Sequence, residues 1–77
     1  MQAHKLENIF KTNLRKLRLE RGFSQSELAR RCGFPPSHIC NLEHGKIAPT
    51  LATLAKIAEV LEVTPSYLLL EAVLGTA

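Results

Sequence analysis

The stretch Gln25 to His44, QSELARRCGFPPSHICNLEH, constrains the fold more than any other part of the chain. Counted from Gln25, a small residue (Ala29) stands fifth, a glycine (Gly33) ninth and a branched aliphatic (Ile39) fifteenth. Each has a steric meaning. Two helices crossing at roughly 90–120° touch near the fifth position, where only a small side chain lets the backbones approach. The chain must reverse after the first helix, and glycine accepts the positive φ that such a turn often needs. Ile39 then plugs the gap between the helices, with Leu28, Cys32, Phe34 and Leu42 lining it. Held in one register, these spacings read as a helix-turn-helix.

A chain of 77 residues makes one domain. At this size folding buries a limited share of the surface, so stability is modest and a second copy would add to it. With 45% hydrophobic and 22% charged residues the composition is that of a globular protein, not a disordered one. No stretch approaches the ~20 apolar residues needed to cross a bilayer. The start, MQAHKLENIF, lacks the apolar core and cleavage site of a secretory signal. Two unpatterned cysteines suit a reducing compartment, so a cytoplasmic location is expected. The net charge of +3 hides an asymmetry: residues 1–46 carry +5 and residues 47–77 carry −2. The basic half contains the helix-turn-helix, which suits a polyanionic partner.

Hydrophobic periodicity and capping signals predict an all-α domain of five short helices. Leu6, Ile9, Phe10, Leu14 and Leu17 place the first over about 6–21. Ser24 with Glu27 forms a capping-box pattern that opens the second, 25–32, which Gly33 ends. In Pro35-Pro36 the first proline takes the cap position and the second the first helical one, which starts the third helix at 36 and runs it to 44, with Gly45 as left-handed cap. Thr50 caps the fourth, 51–61. Thr64-Pro65 repeats the cap-then-proline signal and opens the fifth, 65–74.

The string RKLRLERGFSQSELARRCG, followed by Ile39-x-x-Leu42-Glu43-x-Gly45, PTLATLAKIAEVLEV and a final Tyr67-Leu68-Leu69, resembles the phage-repressor and Cro-type (XRE) helix-turn-helix family over roughly residues 10–70. The resemblance implies a lambda-repressor-like five-helix domain that docks on double-stranded operator DNA, usually as a symmetric dimer. It implies that Gln25 bonds a DNA phosphate and braces the third helix, and that Arg18 and Glu43 form a partly buried ion pair. A helix in the major groove reads base edges with its first turns, which designates Pro36, Ser37, His38 and Asn41. Asn41 suits adenine, and Ser37 can bond several bases. Pro36 departs from many relatives, which carry Gln or Arg there; it offers no donor, which leaves more to DNA shape. His44, Lys46 and the helix start at Thr50 are the remaining expected phosphate contacts.

Cys32, Cys40, His38 and His44 do not make a metal set: there is no C-x-x-C, and Cys40 with His44 supplies two ligands only. Both cysteines are expected to fill the core. No acid pair, nucleophile–base arrangement or glycine-rich loop points to catalysis, and no cofactor, small-molecule substrate or membrane partner is expected. The segment Tyr67-Leu68-Leu69-Leu70 with Ala72-Val73-Leu74 is apolar nearly all round and must be covered. The resemblance implies that Leu68 faces the core. Tyr67, Leu69, Leu70, Val73 and Leu74 are expected at a two-fold interface; the alternative cover is Leu6, Ile9 and Phe10 of the first helix. A dimeric regulator is the expected function, with a protein-interaction module, such as an antitoxin using the last helix, as its rival.

Overall fold

A computed structural model describes residues 3–71. Four α-helices, α1 (Ala3–Glu20), α2 (Gln25–Cys32), α3 (His38–Glu43) and α4 (Leu51–Leu61), are followed by a 3-10 helix at Pro65–Leu69. Leu14, Leu28, Ile39, Leu42, Ile57, Leu61 and Leu68 are essentially fully buried in one core, and Ala29 is wholly buried with them. Burying a leucine or isoleucine side chain contributes about 1.5–3 kcal/mol, so this shared core holds the short helices in place. The helices α2, α3 and α4, of 8, 6 and 11 residues, are too short to be stable alone.

The helix ends are built from local chemistry. Ser24 Oγ accepts from the Glu27 amide at 3.0 Å, and Thr50 Oγ1 accepts from the Thr53 amide at 3.0 Å. Only half of the expected capping box forms, however. The Glu27 carboxylate turns to Arg30 Nη2 and Arg31 Nε, each at 2.7 Å. Two guanidiniums outcompete one backbone amide for a carboxylate. At Gly33, φ is +75° and the amides of Gly33 and Phe34 bond back to Arg30 and Ala29, a left-handed turn that ends α2. The same bond pattern ends α4, but there a non-glycine, Glu62, takes φ +61°.

The first helix starts three residues earlier than expected, at Ala3, and two further elements depart from expectation. The third helix starts at His38, not at Pro36: the Pro35 carbonyl accepts from His38 N at 3.0 Å, so Pro36 and Ser37 form a tight entry turn. The first α-type bond runs from Asn41 N to the Ser37 carbonyl at 3.0 Å, later than a start at Pro36 would require. Likewise the fifth helix is not an α-helix reaching 74. It is a five-residue 3-10 helix, and Leu70 is extended, with φ −83° and ψ 123°. The reason lies far away in sequence. Asn13, wholly buried, donates both Nδ2 hydrogens to the carbonyls of Leu68 at 2.9 Å and Leu70 at 3.0 Å. Both carbonyls are thus engaged by a side chain of α1. Val73 and Leu74 lie outside the described residues.

Removing the amide should therefore loosen the C-terminal turn. Asn13→Ala leaves two carbonyls without their donor, a loss of about 1–3 kcal/mol, which lowers the melting temperature by at least ~4 °C in a domain of this size. Calorimetry checks the fall. A variant that melts like wild type would show that the clamp contributes nothing.

Candidate nucleic-acid interface

The outward position of α3 depends on what holds it from behind. Arg18 of α1 meets Glu43 of α3 through two bonds, Nε–Oε2 at 2.6 Å and Nη2–Oε1 at 3.0 Å. Both side chains are less than a tenth exposed. Arg18 Nη1 also donates to the Phe23 carbonyl at 2.8 Å, and Gln25 Nε2 donates to Glu43 Oε1 at 2.9 Å. Three donors from α1 and α2 thus converge on one carboxylate at the end of α3. This satisfies the charge that burial would otherwise make costly.

Against this brace, Ile39 and Leu42 turn inward and the opposite side of α3 turns out. Pro36 and Ser37 are exposed, while His38 and Asn41 are half-buried. His38 is set edge-on to Phe34, with ring centroids 4.8 Å apart at 70°. The four expected base-reading residues therefore lie on the entry turn and first turns of α3. At its far end His44, Gly45 and Lys46 are exposed. Gly45 takes φ +73°, and a β-carbon there would stand 3.3 Å from Lys11 Nζ. Thr50 is exposed at the start of α4, its hydroxyl engaged with Thr53.

The basic half of the chain is less free than its count suggests. Arg30 and Arg31 are tied to Glu27, whose carboxyl is held below its usual range first by the bond from Arg30 and then by that from Arg31. Arg31 also stacks over Phe23. Arg21 Nε caps the Leu61 carbonyl at 3.0 Å. The cations left over sit on α1 and beside α3. Arg15 lines a notch with Arg18, Gln25, Glu43 and His44, and Lys11 lies along Gly45. Neither was assigned from the sequence. Their spacing of four on one helix face was the available signal, but the element they would face depends on how α1 crosses α3.

Cys32 is buried, and desolvation pushes its thiol above the usual range. Cys40 departs from the expected core position: it is half-exposed, with Sγ 3.4 Å from His44 Nδ1. Among the described residues no three His, Cys, Asp or Glu side chains gather as metal ligands, and no helix is long and apolar enough to cross a membrane. On the side of the expected dimer face, Leu68 is buried and Leu69 half-buried, while Tyr67 and Leu70 stay partly exposed. Ile9 and Phe10 are buried, so part of the apolar surface is covered from within. An apolar groove remains between Leu6, Phe10, Leu51, Leu54 and Leu69.

Two short packed helices joined by the turn at Gly33, the second braced from within and polar without, define a helix-turn-helix domain. The helix-turn-helix family HTH_3 matches residues 14–68. The uncharacterized HTH-type transcriptional regulator y4dJ of Sinorhizobium fredii is 38% identical over 53 residues, which are 69% of this chain and 69% of that protein. The HTH-type transcriptional regulator RamB of Mycobacterium tuberculosis is 39% identical over 56 residues, 73% of this chain but 12% of RamB. Of solved structures, the hypothetical transcription factor NHTF from Neisseria superposes with a TM-score of 0.84 at 31% identity, covering 91% of this chain and 80% of that one. The biofilm regulator SinR, solved in complex with DNA, gives 0.73 at 31% identity, covering 78% and 97%. The chain belongs to this XRE-type helix-turn-helix family, a family of DNA-binding transcription regulators and not of enzymes.

The brace makes a sharp prediction. Glu43→Gln leaves the Arg18 guanidinium buried without its counter-charge, which costs about 3–5 kcal/mol. At ~4–8 °C per kcal/mol, the melting temperature should fall by ~12 °C or more, measured by thermal circular dichroism. Melting within a degree or two of wild type would show that the pair is weak.

Proposed function

We propose that the protein is a cytoplasmic transcription regulator that binds a pseudo-palindromic operator as a homodimer, with α3 and its entry turn in the major groove. The observation that carries this reading is the polar face of Ser37, His38 and Asn41, held outward on the Arg18–Glu43–Gln25 brace. In this reading Asn41 and Ser37 bond base edges, and Pro36 contributes apolar contact to a thymine methyl. His38 stands beside Phe34 and reaches a base edge or phosphate. Gln25, His44, Lys46 and the start of α4 at Thr50 hold the backbone phosphates, which position the domain without reading sequence.

One such helix spans too few base pairs for specificity. Two copies related by a two-fold axis place their helices about 34 Å apart, one turn of DNA. The partly exposed Tyr67 and Leu70, with Leu69 beside them, support an interface at the C-terminal turn, continued by Val73 and Leu74. The DNA complex of SinR supports DNA as the partner.

Selection from a random duplex pool tests the reading. An inverted repeat with half-sites one turn apart should emerge, bound far more tightly than scrambled DNA in the same salt. The double variant Asn41→Ala, Ser37→Ala should lose that preference while keeping its melting temperature. A pool without any enriched motif, with the chain monomeric, would replace this reading with a protein-interaction module that uses the apolar C-terminal turn.

A further inference from the structure

The cations that have no acidic partner among the described residues are not scattered. Six ion pairs and the Arg21–carbonyl bond occupy most of the basic side chains. Lys11, Arg15 and Lys46 remain, and the fold gathers them around the end of α3. Arg15 and His44 line a notch of about 250 Å³ between α1, α2 and α3. The only acid in that lining, Glu43, already accepts from Arg18 and Gln25. The notch therefore presents a permanent cation at Arg15 and no uncommitted anion.

The histidine at its edge is tied to its own helix turn. His44 Nδ1 lies 2.8 Å from the Cys40 carbonyl; a carbonyl can only accept, so a hydrogen bond there assigns the ring proton to Nδ1. The Cys40 thiol, 3.4 Å from the same nitrogen, competes for that proton without changing the assignment. In the neutral ring Nε2 then holds a lone pair, which repels a phosphate oxygen. Protonation turns Nε2 into a charged donor. The groups facing His44 are Arg15 and Arg18 from α1, Gln25 from α2, and Cys40 and Glu43 on its own helix. Lys11 lies along the neighbouring Gly45.

We infer that this notch seats one DNA phosphate between Arg15 and His44, and that seating it takes up a proton at His44 Nε2. Arg15, on a helix outside the helix-turn-helix, thereby becomes a DNA contact, and binding becomes linked to pH. The inference rests on the DNA-binding reading above. Its sign is fixed: affinity is highest where His44 is protonated and falls as the pH rises.

The test is duplex binding by fluorescence anisotropy, across salt and pH, for wild type, Arg15→Gln, His44→Gln and a distant charge control, Lys56→Gln. Arg15 and His44 are exposed, so both variants should melt like wild type. Loss of one phosphate contact should make the slope of log affinity against log salt shallower by about 0.9 in Arg15→Gln, and Lys56→Gln should leave it unchanged. Between about pH 6 and pH 8, wild type should lose roughly threefold more affinity than His44→Gln. Equal slopes for Arg15→Gln and Lys56→Gln would reduce Arg15 to diffuse charge and overturn the notch. The same pH dependence in wild type and His44→Gln would overturn the proton uptake. Wild type that binds no duplex even at the lowest salt would overturn the DNA-binding reading itself, and the notch with it.

Discussion

A buried carboxylate shared by three elements is the constraint from which the surface follows. Glu43 sits at the end of a six-residue helix that has no side-chain cap of its own at its start. Such a helix does not hold a direction by itself. Its direction is set by the fork of Arg18, whose planar geometry accepts the carboxylate in one orientation only, and by the Gln25 amide at the same oxygen. Ile39 and Leu42 supply attraction to the core, but attraction without angle. The polar brace supplies the angle, and the face carrying Ser37 and Asn41 depends on it.

The same network explains why so basic a half-chain presents few free charges. Arginine is spent on structure: on Glu43, on the Phe23 and Leu61 carbonyls, and on Glu27. These bonds stabilise turns between helices that are too short to support one another through apolar contact alone. What remains uncommitted is concentrated at one edge of α3, where charge counts most for a polyanion.

Much of this was legible in the residues. The register of Ala29, Gly33 and Ile39 gives the crossing of α2 and α3. The caps at Ser24 and Thr50 give α2 and α4 their boundaries, because capping is a contest within three residues. What stayed hidden depended on distant partners. Asn13 is one polar residue in an apolar stripe, and nothing near Leu68 or Leu70 announces that it takes their carbonyls. Glu27 carried a cap signal, yet two arginines three and four residues on compete for the same oxygens. The boundary at Pro36 was missed for a local reason, since the Pro35 carbonyl takes the His38 amide and a tight turn precedes the helix. Of the site, the positions on α3 were readable from helical spacing. Arg15 and Lys11 were not, because the face α1 turns toward α3 is a property of packing.

The Asn13 clamp also orders events in time. Its two bonds join positions 55 and 57 residues apart, so they cannot close until the chain extends through Leu70, after the segments of α2 and α3 have been made. During synthesis, α1 to α4 leave the ribosome with the Asn13 amide still facing no partner. The side chain that ends the C-terminal turn also registers that the turn has arrived. A nascent chain that has reached Leu61 holds its recognition elements but not its closed core. The clamp on α1 thus closes only once the chain has been made through Leu70.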